Sequence, residues 1–170
     1  MRYDVAGVIN EDQGFDEGAT LNQAELRQMA EVRIKDAKVL LDGGRWEFAY
    51  YTAGYAVECA LKSCLLARMI HTAWVFEEKW QARECLTHDF EELVRLAGLI
   101  PELNARQAAS AAAAAPGGPR GGAFTTNWGL AIQWKVESRY LAKTEAEARA
   151  LYDAITNLPD GVLEWIRNFW

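Results

Sequence analysis

A chain of 170 residues is long enough to bury one sizeable core without disulfides or metals. An apolar content of 51% with seven tryptophans excludes a disordered chain, and charges interrupt every apolar run before it reaches bilayer-spanning length. The net charge of −6 weighs against broad, sequence-independent binding to nucleic acid, which needs clustered cations, but leaves room for a small basic pocket.

Residues 1–20 hold five acidic side chains, several glycines and no apolar run, so they read as a flexible N-terminal segment without a secretory signal. Residues 21–170 read as a single domain. Its first helix opens at Asn22, an N-cap with Glu25 three residues on. Leu26, Ala30, Ile34, Ala37 and Leu41 give it one apolar stripe, and Gly43-Gly44 end it because glycine takes the left-handed cap conformation. A short turn then predicts an antiparallel partner helix over residues 46–68, WEFAYYTAGYAVECALKSCLLAR, which is apolar almost all round and therefore buried on most sides.

From Ile70 to Leu86 the periodicity fails, and Trp74, Phe76 and Trp80 are expected to pack an excursion onto the bundle. A third helix is predicted from His88 to Ala97, with Thr87 as a possible cap and Gly98 with Pro101 as its stop. The alanine run and PGGPRGG of residues 105–123 read as a mobile peripheral insertion. Trp128, Ile132 and Val136 mark a fourth helix ending near Tyr140. Thr144 and Glu147 form a second capping box, and Ala148, Leu151, Ile155, Leu158, Val162, Trp165 and Phe169 continue a core seam that Pro159 and Gly161 should kink or restart. No segment reads as strand. The expected fold is all-α, an antiparallel up-and-down bundle of four to five helices.

Chemistry is concentrated on the buried helix. Tyr51, Tyr55, Glu58 and Lys62 recur at steps of four, three and four, so they share a face. A buried carboxylate and ammonium are costly unless paired. One reading is an ion pair that fixes helix register or anchors Arg139. The other is a polar crevice in which Lys62 or Arg139 meets a phosphate and Tyr51 or Tyr55 stacks a base, with Tyr140 beside Arg139 at the end of the fourth helix. Cys59, Cys64 and Cys85 are odd in number, and two of them fall in an apolar helix, which fits reduced core thiols and a cytoplasmic location. With His71 and His88 they show no zinc-ligand spacing, and no phosphate-binding glycine loop is present, so no metal and no cofactor are expected.

The DAKVLL core and glycine turn, the segment AYYTAGYAVECALKSCL, then THDFEELVRLAGL, NW, SRY and GVLEWIRNFW together resemble the HEPN domain. This is a helical bundle named for its occurrence in higher eukaryotes and prokaryotes and for proposed nucleotide binding. The resemblance runs from Asn22 to Trp170 apart from the insertion, and GYAVECALK and THDFEEL are its most specific pieces. It implies a binding module for a nucleotide or nucleic-acid-derived ligand, a minimal nucleotidyltransferase as partner, and pairing into a homodimer, with no role at a membrane. A rival expectation is a metal-independent endoribonuclease of a toxin–antitoxin or defence system. Catalytic HEPN ribonucleases carry an arginine four to six residues before a histidine, and Arg83 and His88 have that separation, although the family's motif lies later in the bundle. A third is a non-catalytic dimerisation domain.

Overall fold

The computed structural model describes residues 22–72, 85–115 and 122–170. Helix α1 (Gln23–Asp42) starts where the capping box puts it: Asn22 Oδ1 accepts from the Glu25 N–H at 3.0 Å, and Glu25 Oε2 accepts from the Asn22 N–H at 2.8 Å. Its five stripe residues, Leu26, Ala30, Ile34, Ala37 and Leu41, are all buried. The left-handed residue in the following turn is Gly44, with φ 71°, whereas Gly43 stays at φ −82°. The turn returns the chain along α1 as α2 (Trp46–Thr72).

Helix α2 is the axis of the fold. It packs against α1, α3 (Phe90–Ala97), the 3-10 turn Val136–Tyr140, α6 (Glu145–Thr156) and α7 (Val162–Ile166). Ala49, Ala53, Ala56 and Ala60 of α2 and Ala30 and Ala37 of α1 are buried in one core, where small side chains let backbones come close. Larger residues, Val57, Leu61 and Leu65, fill what remains.

The third helix is capped by Asp89, not Thr87. Asp89 Oδ1 accepts from the N–H groups of Glu91 and Glu92 at 3.0 and 3.2 Å, while the Thr87 hydroxyl accepts from the Asp89 N–H. Gly98 ends α3 at φ 75°, as expected. Pro101, however, does not keep the chain out of helix; it sits in the first turn of a new one, α4 (Ile100–Ala114), where its missing N–H has no intrahelical partner to lose. Residues 105–114, read from composition as the start of a mobile insertion, are thus helical. The proposed aromatic excursion at Trp74, Phe76 and Trp80 and the glycine-rich stretch 116–121 lie outside the described residues.

Helix α4 is moored by a polar cluster centred on Asp160, which is buried. Arg106 Nη2 donates to Asp160 Oδ1 at 2.6 Å, the Ala123 N–H donates to Oδ2 at 3.2 Å, and Asn127 Nδ2 donates to the Asp160 carbonyl at 2.9 Å. The fourth predicted helix is shorter than its periodicity implied. It is α5 (Phe124–Ala131), followed by a turn and the 3-10 segment. The last seam does break at Pro159-Gly161 into α6 and α7. Helix α6 opens with the expected Thr144–Glu147 box, and the donors on Thr144 hold the Glu147 carboxyl down to about 2. All described secondary structure is helical.

The tightest contact in the bundle joins α2 to the turn after α5. The Trp134 indole lies flat on the α2 backbone at Gly54, where a Cβ would sit 2.2 Å from Trp134 Cδ1. We expect Gly54→Ala to destabilise the protein. Overpacking of about 1–3 kcal/mol outweighs the helix-propensity gain of up to about 1 kcal/mol. Urea denaturation followed by far-UV circular dichroism should show the loss.

Candidate functional site

Trp134 organises what surrounds it. On one side its ring approaches Tyr51, centroid to centroid 5.9 Å; on the other it stacks on Phe90 at 5.2 Å, the first residue of α3. Lys135, next in the chain, reaches Asp89 Oδ2 at 2.6 Å, and this contact is the chief cause that lowers the Asp89 pKa. One turn therefore fixes both the 3-10 segment bearing Arg139 and the start of α3 bearing His88.

The first region is a groove between α1 and α2, with a volume of 650 Å³. Arg33, Asp36, Val39 and Leu40 form its α1 wall, while Phe48, Tyr51, Thr52 and Tyr55 form its α2 wall. Arg139 closes one end. The Tyr51 and Tyr55 rings lie parallel within 5°, centroids 6.1 Å apart, as the four-residue spacing dictates. Burial pushes the Tyr55 phenol up to about 12, with the nearby Cys59 thiol adding to the effect, so it stays a neutral donor, directed at Met29 Sδ at 3.7 Å. Arg33 is tied to Asp36 at 2.7 Å. Arg139 is fully exposed, has no carboxylate partner among the described residues, and lies 4.8 Å above the Tyr140 ring. The phenols of Tyr140 and Tyr51 raise its pKa, so it is a permanent cation at the mouth of the groove.

The second region begins one turn further along α2. The Glu58 side chain is 3% exposed, and its Oε1 accepts from Lys62 Nζ at 2.8 Å and faces His88 Nδ1 at 2.9 Å. The other oxygen, Oε2, is buried without a hydrogen-bond partner. Lys62 is 23% exposed and His88 47% exposed, so the carboxylate sits beneath two groups that reach solvent.

The structure thus divides the expected set. Tyr51, Tyr55 and Arg139 come together at the groove with Tyr140 at its edge. Glu58 and Lys62 do not line it, and Glu58 pairs with Lys62 and His88, not with Arg139. The four residues keep to one face, but Glu58 and Lys62 lie about 10 and 16 Å further along the α2 axis than Tyr51, beyond the groove and beside His88. Arg83 lies outside the described residues. The AGYA and THD strings contain Gly54 and Asp89 but do not declare their partners Trp134 and Lys135 across the bundle.

The family model for the HEPN domain matches residues 23–107, half of the chain. The chain belongs to the HEPN family. The match runs from the start of α1 into α4, so the groove walls and the Glu58–Lys62–His88 cluster of this HEPN domain lie inside it, whereas Trp134, Arg139 and Tyr140 lie beyond it. Neither the curated proteins nor the solved structures contain a match. Among the described residues no helix is long and apolar enough to cross a membrane.

Breaking the Glu58 cluster tests its stake in the fold. Lys62→Met leaves Glu58 with His88 alone and should destabilise the protein by about 2 kcal/mol, below the range for a fully buried broken pair because His88 remains and the site touches solvent. Glu58→Gln should cost less, since an amide needs no counter-charge. Urea midpoints at neutral pH decide both.

Proposed function

We propose that this HEPN domain is a binding module whose ligand seats in the α1–α2 groove, and that the ligand is a nucleotide or a nucleic-acid-derived molecule. The supporting observation is the pairing of two parallel tyrosine faces with an uncompensated arginine at the rim of a groove of 650 Å³. That volume falls in the range of small-ligand sites. A base stacks on aromatic faces whatever its identity, and a guanidinium offers a planar fork to phosphate oxygens. In this reading Tyr51 and Tyr55 hold the base, Arg139 holds the phosphate, and Tyr140 keeps the guanidinium extended over its own ring. Glu58 and Lys62 act from behind, fixing the rotation of α2 that presents the tyrosines.

Calorimetric titration with a panel of nucleoside mono-, di- and triphosphates tests it. At least one should bind saturably, and Arg139→Gln and Tyr51→Leu should each weaken that binding by about tenfold or more, equivalent to 1.4 kcal/mol. Flat titrations across the panel would overturn the reading.

A second reading rests on one contact. His88 Nδ1 is fixed at 2.9 Å by a buried carboxylate, which leaves Nε2 as the imidazole's reactive nitrogen, the arrangement a general acid or base requires. With Arg83 five residues earlier, this describes a metal-independent endoribonuclease. RNA incubated with the purified chain in EDTA separates the two. The binding-module reading expects intact RNA; cleavage that disappears in His88→Ala selects the enzyme.

Both readings include self-association, and the binding-module reading adds a minimal nucleotidyltransferase as a cellular partner. HEPN domains often dimerise. Val39, Phe48, Tyr140 and Leu141 are exposed around the groove at 71, 51, 75 and 55%, an apolar rim suited to an interface. Light scattering should return a dimer; a monomer at micromolar concentration rejects the pairing.

A further inference from the structure

A second cavity, of 570 Å³, lies at the other end of the α1–α2 pair and shares no residue with the groove. Gln23 and Arg27 line it from the first turns of α1, Cys64, Arg68 and His71 from the last turns of α2, Leu99 from the start of α4, and Phe169 and Trp170 from the final residues. In a chain of net charge −6 this lining is unusual, because among the described residues it contains two arginines and a histidine and no acidic side chain.

Arg27 is the informative member. Its Nε is buried and has no hydrogen-bond partner, and no ion pair engages the guanidinium among the described residues. Arg33 is matched by Asp36, Arg106 by Asp160, and Arg167 by Glu31 and Glu164; the groove's Arg139 has no carboxylate partner among the described residues either, but it is exposed, whereas Arg27 Nε is enclosed. A buried donor without an acceptor is unfavourable unless something else supplies one. The neighbouring thiol cannot do so as an anion: burial pushes Cys64 up to about 11, against the opposing pull of Arg27, so it is protonated at neutral pH. Arg68 is held in place by α3, donating from Nη1 to the Leu96 carbonyl at 2.9 Å, and contributes a positioned charge. The Phe169 ring is braced edge-on by Trp165 at 5.4 Å and gives the cavity a firm apolar wall.

We propose that this cavity is an anion site for a small phosphate-bearing molecule, bound by Arg27 and His71 and walled by Phe169 and Trp170. The guanidinium of Arg27 supplies the directed donors, and phosphate oxygens supply the acceptors that the protein itself withholds. The site stands independently of the groove, since its residues, its charge pattern and its missing acceptor are its own.

Pyrophosphate titrated calorimetrically into the full chain is the test. We expect one saturable event, weakened about tenfold or more by Arg27→Gln and by His71→Gln. Arg149→Gln, an exposed arginine paired with Glu145, should leave it unchanged. If circular dichroism shows that Arg27→Gln has lost helix, His71→Gln decides. The proposal is overturned by a flat wild-type titration, by wild-type affinity in a folded Arg27→Gln, or by loss of binding on Arg139→Gln instead, which moves the anion to the groove.

Discussion

The contact between the Trp134 indole and the bare α2 backbone at Gly54 governs this molecule. Only glycine leaves room for a ring there, and the ring is too large to be accommodated by a local shift of the helix. Because Trp134 also stacks on Phe90 and leans on Tyr51, one side chain sets the relation of three elements distant in sequence. The Lys135–Asp89 contact clips the same turn to the cap of α3. Move that turn and Arg139 leaves the groove while His88 leaves Glu58.

The energetic character of the two polar regions differs, and so does what each can do. At the groove, charge is exposed: Arg139 lies over a tyrosine ring with no carboxylate partner among the described residues, so it can take a new partner at little cost. At Glu58 the carboxylate is enclosed, and both groups that compensate it reach the surface. Such a cluster resists rearrangement and specifies geometry more than it adds stability. The first suits ligand exchange and the second suits holding a helix, or an imidazole, in one orientation.

Around these, the bundle divides its labour. The α1–α2 pair, with alanines at its contact, is the rigid platform, and its two ends carry the two cavities. Helices α5 to α7 close the far side, and α4 is attached through Arg106 to Asp160 and over the Phe124 ring, through the buried Ser110 hydroxyl, which accepts from the Thr125 N–H at 3.2 Å, and through Leu103.

The sequence alone determined the local and periodic features: the Asn22 and Thr144 caps, the α1 stripe, the enclosed character of α2, the end of α3 at Gly98, the break at Pro159-Gly161, and the HEPN resemblance. These depend on residues within one or two turns of each other, where spacing is geometry. Tyr51 and Tyr55 were legible as a pair for that reason. Tertiary structure decided everything that needs a partner from elsewhere in the chain. Glu58 meets His88 and not Arg139, Asp160 takes Arg106 from α4, and the glycine that matters most is answered by a tryptophan eighty residues later. A periodic pattern states which face of a helix is apolar, but not which neighbour will cover it, because that choice is made by the packing of all the elements at once.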